Sequence, residues 1–182
     1  MNSHIVLYVR YHNIITRCRN EDGRGGAGLF IKDSINFKVR EDLSVFIPHV
    51  YESLFVEVEN ESYKKIIAGF IYRPNTLPPA DVDVFTSTLF DIMEIINTDG
   101  KSSLILGDVN ICLLKYRTND KTRDSVGGIL SRGCLPVIHK PTRVTHTSAT
   151  LIDHIYSNLT CKDTLSGIIL TMWRITSVHS IL

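Results

Sequence analysis

Apolar residues recur along this chain in two periods. Short runs that are continuous or alternating in apolar character occupy residues 4–10, 13–18, 27–31, 36–40, 52–58 and 63–72, and each predicts a β-strand. Lys32-Asp33-Ser34 predicts a hairpin between the third and fourth runs, and Asn60-Glu61-Ser62 a turn between the last two. Residues 21–26 form a Gly-rich polar cluster, which supplies positive φ without steric cost and so reads as a turn. Pro74 ends the 63–72 run, and Pro78-Pro79 punctuates the loop before a helix. In that helix Val82, Phe85, Leu89, Ile92, Met93 and Ile96 recur at three- and four-residue steps. One face is therefore apolar and is expected to pack on a sheet.

Asp99-Gly100 closes the helix, and Leu104, Ile105 and Leu106 predict a buried strand. A second helix spans about residues 120–131, weakened by Gly127-Gly128. Runs at 135–138, 151–156 and 167–170 complete the strands. The sequence shows no repeat, low-complexity tract or linker, so residues 1–182 read as one α/β domain.

Composition narrows the function classes only modestly. The chain has 182 residues, 43% of them hydrophobic, enough for one sizeable core. Twenty Lys and Arg against nineteen Asp and Glu give +1, so no global basic field points to a polyanion. Two local groups are candidates: Arg17, Arg19 and Arg24, and then Arg117, Lys121, Arg123 and Arg132. Solvated surface is the ordinary reading of both. Cys18, Cys112, Cys134 and Cys161 lack paired C-x-x-C spacing, which argues against a zinc site or a redox dithiol. No secretory leader pattern opens the chain, and no run nears the roughly 18 apolar residues of a membrane helix. The expectation is an intracellular protein with reduced thiols and no membrane contact, with the nucleus open as its compartment.

The chemistry-bearing positions sit at the ends of apolar runs, where an α/β scaffold exposes reactive groups. They are Tyr72 with Asn75, Asp108 with Asn110, Asp153 followed by His154, and His179. In an extended segment Asp108 and Asn110 fall on one side, a carboxylate and a carboxamide together. A Gly-Asp-x-Asn turn that merely satisfies backbone groups is the plain alternative. Tyr72 alone is equally a half-buried core residue. His154 falls on the opposite face of its strand from Asp153, and His139 and His146 read as surface or loop residues.

Six strings carry a resemblance. They are Gly-Ala-Gly-Leu-Phe-Ile (26–31), Glu-Ser-Leu-Phe-Val-Glu-Val (52–58), Ile-Tyr-Arg-Pro-Asn (71–75), Gly-Asp-Val-Asn-Ile (107–111), Lys-Pro-Thr-Arg (140–143) and Thr-Leu-Ile-Asp-His-Ile-Tyr-Ser-Asn (150–158). Together, over about residues 25–171, they resemble the endonuclease/exonuclease/phosphatase superfamily. Within it they are similar to the apurinic-type endonuclease domain of jockey-like non-LTR retrotransposons. The resemblance implies a DNase I-like two-sheet α/β sandwich flanked by helices, with the site at one edge of the sheets. It implies magnesium-assisted hydrolysis of DNA phosphodiesters, with DNA as the partner.

The resemblance also implies roles. Asp108 orients or deprotonates the attacking water, and Asn110 donates to a phosphate oxygen. Tyr72 reaches the phosphate or orders the site, Asn75 shapes the following loop, and Asp153 orients the catalytic histidine. Thr142 bonds a phosphate or the neighbouring Asn, with Thr145 and Thr147 as competitors for that place. His179 matches the histidine.

Departures from the family pattern are equally specific. Residues 1–24 hold only Glu21 as glutamate, in the turn, where the family has a metal-binding glutamate before the Gly-rich turn. Glu52 and Glu57 lie on a later strand and do not match that position. Ser177-Val178-His179 stands where the family reads Ser-Asp-His, so Val178 replaces an acidic metal contact. Met172-Trp173-Arg174 interrupts where the family continues with an acidic residue. The expectation is a domain truncated at both ends, impaired or inactive, whose metal ligands the sequence does not assign. A non-catalytic binding remnant and a phosphatase of the same superfamily, acting on a phosphoinositide or another small phosphate, are the alternatives.

Overall fold

A computed structural model describes residues 13–18, 26–60, 63–75, 79–159, 164–170 and 175–181. In chain order the strands begin with β1 (Asn13–Cys18), β2 (Gly26–Ile31), β3 (Asn36–Val39), β4 (Phe46–Ile47), β5 (Tyr51–Asn60) and β6 (Tyr63–Tyr72). Helix α1 (Pro79–Thr98) follows, then β7 (Ser102–Asp108), a 3-10 turn at Leu113–Lys115 and helix α2 (Asp120–Ser131). The remaining strands are β8 (Leu135–Pro136), β9 (Arg143–Val144), β10 (Ala149–Thr150), β11 (Asp153–Ser157), β12 (Thr164–Leu170) and β13 (Ile175–Ile181).

Seven strands form a mixed sheet in the order β3-β5-β6-β7-β11-β8, with β4 paired to β5 beside β3. Only the β6–β7 pair is parallel, as the α1 crossover between them requires. Three two-stranded antiparallel pairs accompany the sheet: β1–β2, β9–β10 and β12–β13. Strand β2 lies beside β5 and β6. The α/β sandwich expected from the sequence is thus present, with a large mixed sheet, smaller sheets and two described helices.

Register divides the large sheet into two faces. Ile67, Gly69 and Ile71 align with Ser103, Ile105 and Gly107, and these with Tyr156 and His154. That face carries the main core, where Phe85, Leu89, Ile92, Met93 and Ile96 of α1 pack on Phe55, Ile67, Ile71 and Ile105. The apolar helix face predicted from the sequence is therefore the one buried. The opposite face carries a smaller core of Leu104, Ile138, Leu151 and Ile155.

Close backbone approach explains one glycine. A Cβ on Gly107 would lie 1.7 Å from Ile71 O, so only glycine lets β7 come this near to β6 just before Asp108.

The helices are tied to each other and to the sheet. Asn119 caps α2 by accepting from Thr122 N at 3.0 Å. Lys121 Nζ reaches Asp83 on α1 at 2.7 Å, and the Arg132 guanidinium lies 4.1 Å from the centre of the Phe90 ring while its Nε meets Glu94 at 3.1 Å. With Arg123 paired to Asp120, three of the four cations in the second sequence-predicted basic group are spent on neighbouring carboxylates. Arg19 and Arg24 of the first group, and the Arg17 side chain, lie outside the described residues.

Two local expectations are corrected. The hairpin across Lys32-Asp33-Ser34 does not form, because β2 pairs with β1 and β3 pairs with β5. Turn residues between two apolar runs mark a bend, but the partner of each strand is chosen by the whole sheet. The run at 135–138 shortens to a two-residue strand, with Val137 N then bonding Ile155 O at 2.8 Å. The runs at 4–10 and the Gly-rich turn up to residue 25 lie outside the described residues. Among those described, neither helix is long and apolar enough to cross a membrane.

Candidate active site

One row of side chains crosses four adjacent strands on the sheet face away from the helices. Glu52 on β5 pairs with Tyr72 on β6, Tyr72 with Asp108 on β7, and Asp108 with Asp153 on β11. Paired residues point to the same face, so the four side chains line up along one row. The row lies where β6 and β7 end, at the edge of the sheet. The structure thus brings together three residues picked from the sequence, and adds Glu52.

By its place in the sequence Glu52 does not match the family's first glutamate. What places it is register. The β5–β6 pairing slips by one residue between Val58 and Asn60, which puts Glu52 rather than Tyr51 opposite Tyr72. The sequence predicts a turn at Asn60-Glu61-Ser62, of which Asn60 ends β5 and Glu61-Ser62 lie outside the described residues, and it carries no sign of the slip.

Asp108 is half-buried beside a like charge. Burial first, and then the Asp153 carboxylate, push its carboxyl above the ordinary range. The backbone N–H of Asn110, 3.1 Å from Asp108 Oδ1, and the charges of Arg143 and Arg73 pull it back. Arg143, on β9, thereby joins the electrostatics of the site.

Asn110 reaches the site by a route other than the expected one. β7 ends at Asp108, and Asn110 has φ +51°, in the left-handed region. An extended segment is therefore not what brings the pair together; a turn does, with Asp108 accepting from the Asn110 N–H. The Asn110 carboxamide donates through Nδ2 to Arg73 O at 2.7 Å. One of its two amide protons is thus used inside the fold.

Thr142 is 2% exposed, and its Oγ1 accepts from Ile152 N at 3.2 Å and Asp153 N at 3.1 Å. The oxygen holds the backbone that carries Asp153, a contact that the sequence does not announce. Thr145 shapes the β9–β10 hairpin, its Oγ1 accepting from Ser148 N at 3.0 Å, and Thr147 is an exposed residue of that turn.

His154 is buried on the helix side, as strand alternation predicts. Its Nε2 bonds Ile111 O at 2.8 Å, and its ring stacks on Tyr156 with centroids 5.4 Å apart. A carbonyl only accepts, so Nε2 carries the proton, and burial pushes the imidazole down to about 4. His139 and His146 are exposed. His179 lies in β13 opposite Ser166 of β12, and its side chain is outside the described residues.

On the helix side of the same turn opens a cleft of about 690 Å³ lined by Arg73, Asn75, Asn110, Cys112, Lys115 and Asn119, among others. Asn75 is exposed on its rim. Cys112 and Cys134 are free thiols, with burial raising the Cys134 pKa above its usual value.

No protein-family model matches the sequence, nor does any curated protein. Solved structures do match in fold. The endonuclease domain of TRAS1, a telomere-specific non-LTR retrotransposon, superposes with TM-score 0.70 at 11% identity, over 93% of this chain and 77% of that one. TDP2 of D. rerio complexed with a single-strand DNA product gives 0.57 at 13% identity, over 86% and 68%. A mannosyl-6-phosphatase of Bacteroides thetaiotaomicron gives 0.54 at 9%, over 91% and 76%. The protein therefore has the fold of the endonuclease/exonuclease/phosphatase superfamily.

Proposed function

We propose that this chain is a single retroelement-derived endonuclease domain that hydrolyses DNA phosphodiesters with a divalent cation, and does so weakly. The observation that carries the reading is the row Glu52, Tyr72, Asp108 and Asp153, which aligns acids and a phenol across one face of the sheet, with Glu52 buried and the other three partly exposed. Support comes from the likeness to a retrotransposon endonuclease domain and to a protein complexed with a DNA product.

Asp108 and Asp153 fit magnesium, which is usually held by one or two carboxylates together with water and substrate phosphate. Two facing carboxylates, one of them with its proton affinity raised by burial and then by the other, are relieved by a cation between them. Among the described residues no three His, Cys, Asp or Glu side chains form a cage that could hold a metal. The fit is therefore to an ion shared with the substrate. Bound there, it would supply charge stabilisation at the phosphate.

The chain's own groups do the rest. Asp108 orients an attacking water and accepts its proton. Asn110 gives its remaining amide proton to a phosphate oxygen, and Tyr72 stands beside Asp108 to order it. Asn75 shapes the rim. Asp153 orients an imidazole, for which His179 is the family match. Weakness follows from Val178, which can neither coordinate a cation nor accept a hydrogen bond, and from the unmatched first glutamate.

The test is nicking of supercoiled plasmid in magnesium, run beside the TRAS1 domain. Nicking is expected far below that of the relative, and Asp108→Ala removes what this site contributes. Robust nicking abolished by Asp108→Ala would overturn the impairment and keep the nuclease. DNA binding without nicking points to a binding remnant. Release of phosphate from a small phosphomonoester, lost in Asp108→Ala, moves the chain to the phosphatases.

A further inference from the structure

Four consecutive main-chain carbonyls, from the last residue of β7 onward, are each taken by a donor from Arg73 or His154. Arg73 N donates to Asp108 O at 3.0 Å, Arg73 Nε to Val109 O at 2.7 Å, and Arg73 Nη2 to Asn110 O at 2.7 Å. His154 Nε2 donates to Ile111 O at 2.8 Å. In return, Arg73 O accepts from Asn110 Nδ2. Arg73 thus grips residues 108–110 through its backbone N–H, its carbonyl and its guanidinium.

Both gripping side chains are buried, Arg73 at 5% and His154 at 1% exposure. Burying a guanidinium is costly, and well-packed apolar side chains often serve stability as well as a buried charge does. Here the donors go to neutral carbonyls of one short turn. That turn holds Asn110 at φ +51°, in the left-handed region, which asparagine tolerates better than most other non-glycine residues. The planar fork of arginine suits two adjacent carbonyls, and the single ammonium of lysine does not.

We propose that Arg73 and His154 are positioning residues that lock the turn 108–111, fixing Asp108 and Asn110 relative to Asp153. The inference deepens the nuclease reading, because the turn carries two residues of the candidate site. It needs that reading only for the activity arm of its test.

Amide hydrogen exchange at Asn110 reports the turn directly, with amides of α2 as the reference for global stability. Arg73→Lys, Arg73→Met and His154→Phe are compared with His154→Gln, whose amide nitrogen keeps a donor near the place of Nε2. Arg73→Lys, Arg73→Met and His154→Phe are expected to speed exchange at Asn110 roughly ten- to a hundredfold over the change in α2. His154→Gln restores most of the protection that His154→Phe loses. Where nicking is measurable it falls in the same order, in kcat rather than KM. Should Arg73→Met not fold, the Arg73→Lys and His154 variants decide. Equal acceleration at Asn110 and in α2, or failure of His154→Gln to restore protection, overturns the inference. Selective loosening at Asn110 with no nicking in any protein, wild type included, leaves the positioning role standing and sinks the nuclease reading.

Discussion

Asp108 and Asp153 are register partners on antiparallel strands, with both carboxylates on the sheet face turned away from the helices. Like charges directly opposite each other destabilise a strand pair. Their cost is seen in Asp108, whose carboxyl is pushed up by burial and then by Asp153. A sheet built for stability alone would not keep this pair.

That cost gives the first prediction. Because the folded Asp108 binds its proton more tightly than the unfolded chain, stability falls as pH rises from the ordinary carboxyl range through the folded value. Asp108→Asn removes the penalty and keeps an oxygen for the Asn110 N–H. In urea melts at pH 7 the variant is expected to be more stable by about 1 kcal/mol or less, since solvent screens a half-buried group. The gain should shrink at pH 3. A variant less stable than wild type at pH 7 would show that the charge-assisted bond to Asn110 outweighs the repulsion.

Glu57 shows the opposite sign at the other end of the sheet. Burial would raise its carboxyl, but the hydrogen bond and charge of Lys101, followed by Lys65 and Arg40, outweigh it and hold the pKa below its ordinary value. Lys101 Nζ and Arg40 Nη1 both lie 3.2 Å from its oxygens, and Arg40 continues to Asp99 at 2.8 Å, where α1 has ended. The stability it contributes is present above the unfolded carboxyl range and is lost as pH falls through the folded value. Glu57→Gln is expected to cost about 1–3 kcal/mol at pH 7, with the difference from wild type closing in acid. A pH-independent difference would assign the loss to packing instead.

Two glycines offer a contrast that needs no assumption about function. A methyl at Gly107 has no room beside Ile71 O, whereas one at Gly127, in the middle of α2, meets nothing within 4 Å. Gly107→Ala should therefore cost more than about 3 kcal/mol, or abolish folding, by forcing β6 and β7 apart. Gly127→Ala should stabilise by about 0.5–1 kcal/mol through helix propensity. Thermal melts of both variants check the pair, and a benign Gly107→Ala would mean that β7 can shift without loss.

The elements that the sequence specifies locally were legible. Helix α2 falls at residues 120–131 and β6 at 63–72 as read, because each is set by its own apolar pattern and its own breakers. Pairing was not legible: β2 and β3 flank a polar turn yet choose β1 and β5, and the two-residue strands β4, β9 and β10 are too short for any period to show. The site divides the same way. Tyr72, Asp108 and Asp153 announce themselves as polar residues at the ends of apolar runs, the first two closing β6 and β7 and the third opening β11. Glu52 joins them only through a register slip, and Arg73 and Thr142 act through main-chain groups far away in sequence. His154 was correctly assigned to the opposite face, but its bond to Ile111 O lies 43 residues away and leaves no local trace.

Thr142 gives the sharpest separation of a structural role from a chemical one. Its hydroxyl oxygen accepts from two successive backbone N–H groups, Ile152 and Asp153, and the side chain is buried. Thr142→Val keeps the shape and removes the acceptor, stranding two donors at the point where β11 begins. Leaving buried donors unmade costs roughly 1–3 kcal/mol each, and the two bonds here are long and share one oxygen, so a total of about 2–3 kcal/mol is expected. Thr142→Ser restores the oxygen and should recover most of it, less a small loss from the missing methyl. Urea melts of the three proteins measure this without any substrate. The alternative, a hydroxyl spent on phosphate, predicts that Thr142→Val leaves stability within about 0.5 kcal/mol of wild type, as substitutions away from buried features do, and alters only nucleic-acid binding. If stability holds and DNA affinity falls, Thr142 faces the substrate and its bonds to the Asp153 backbone are incidental.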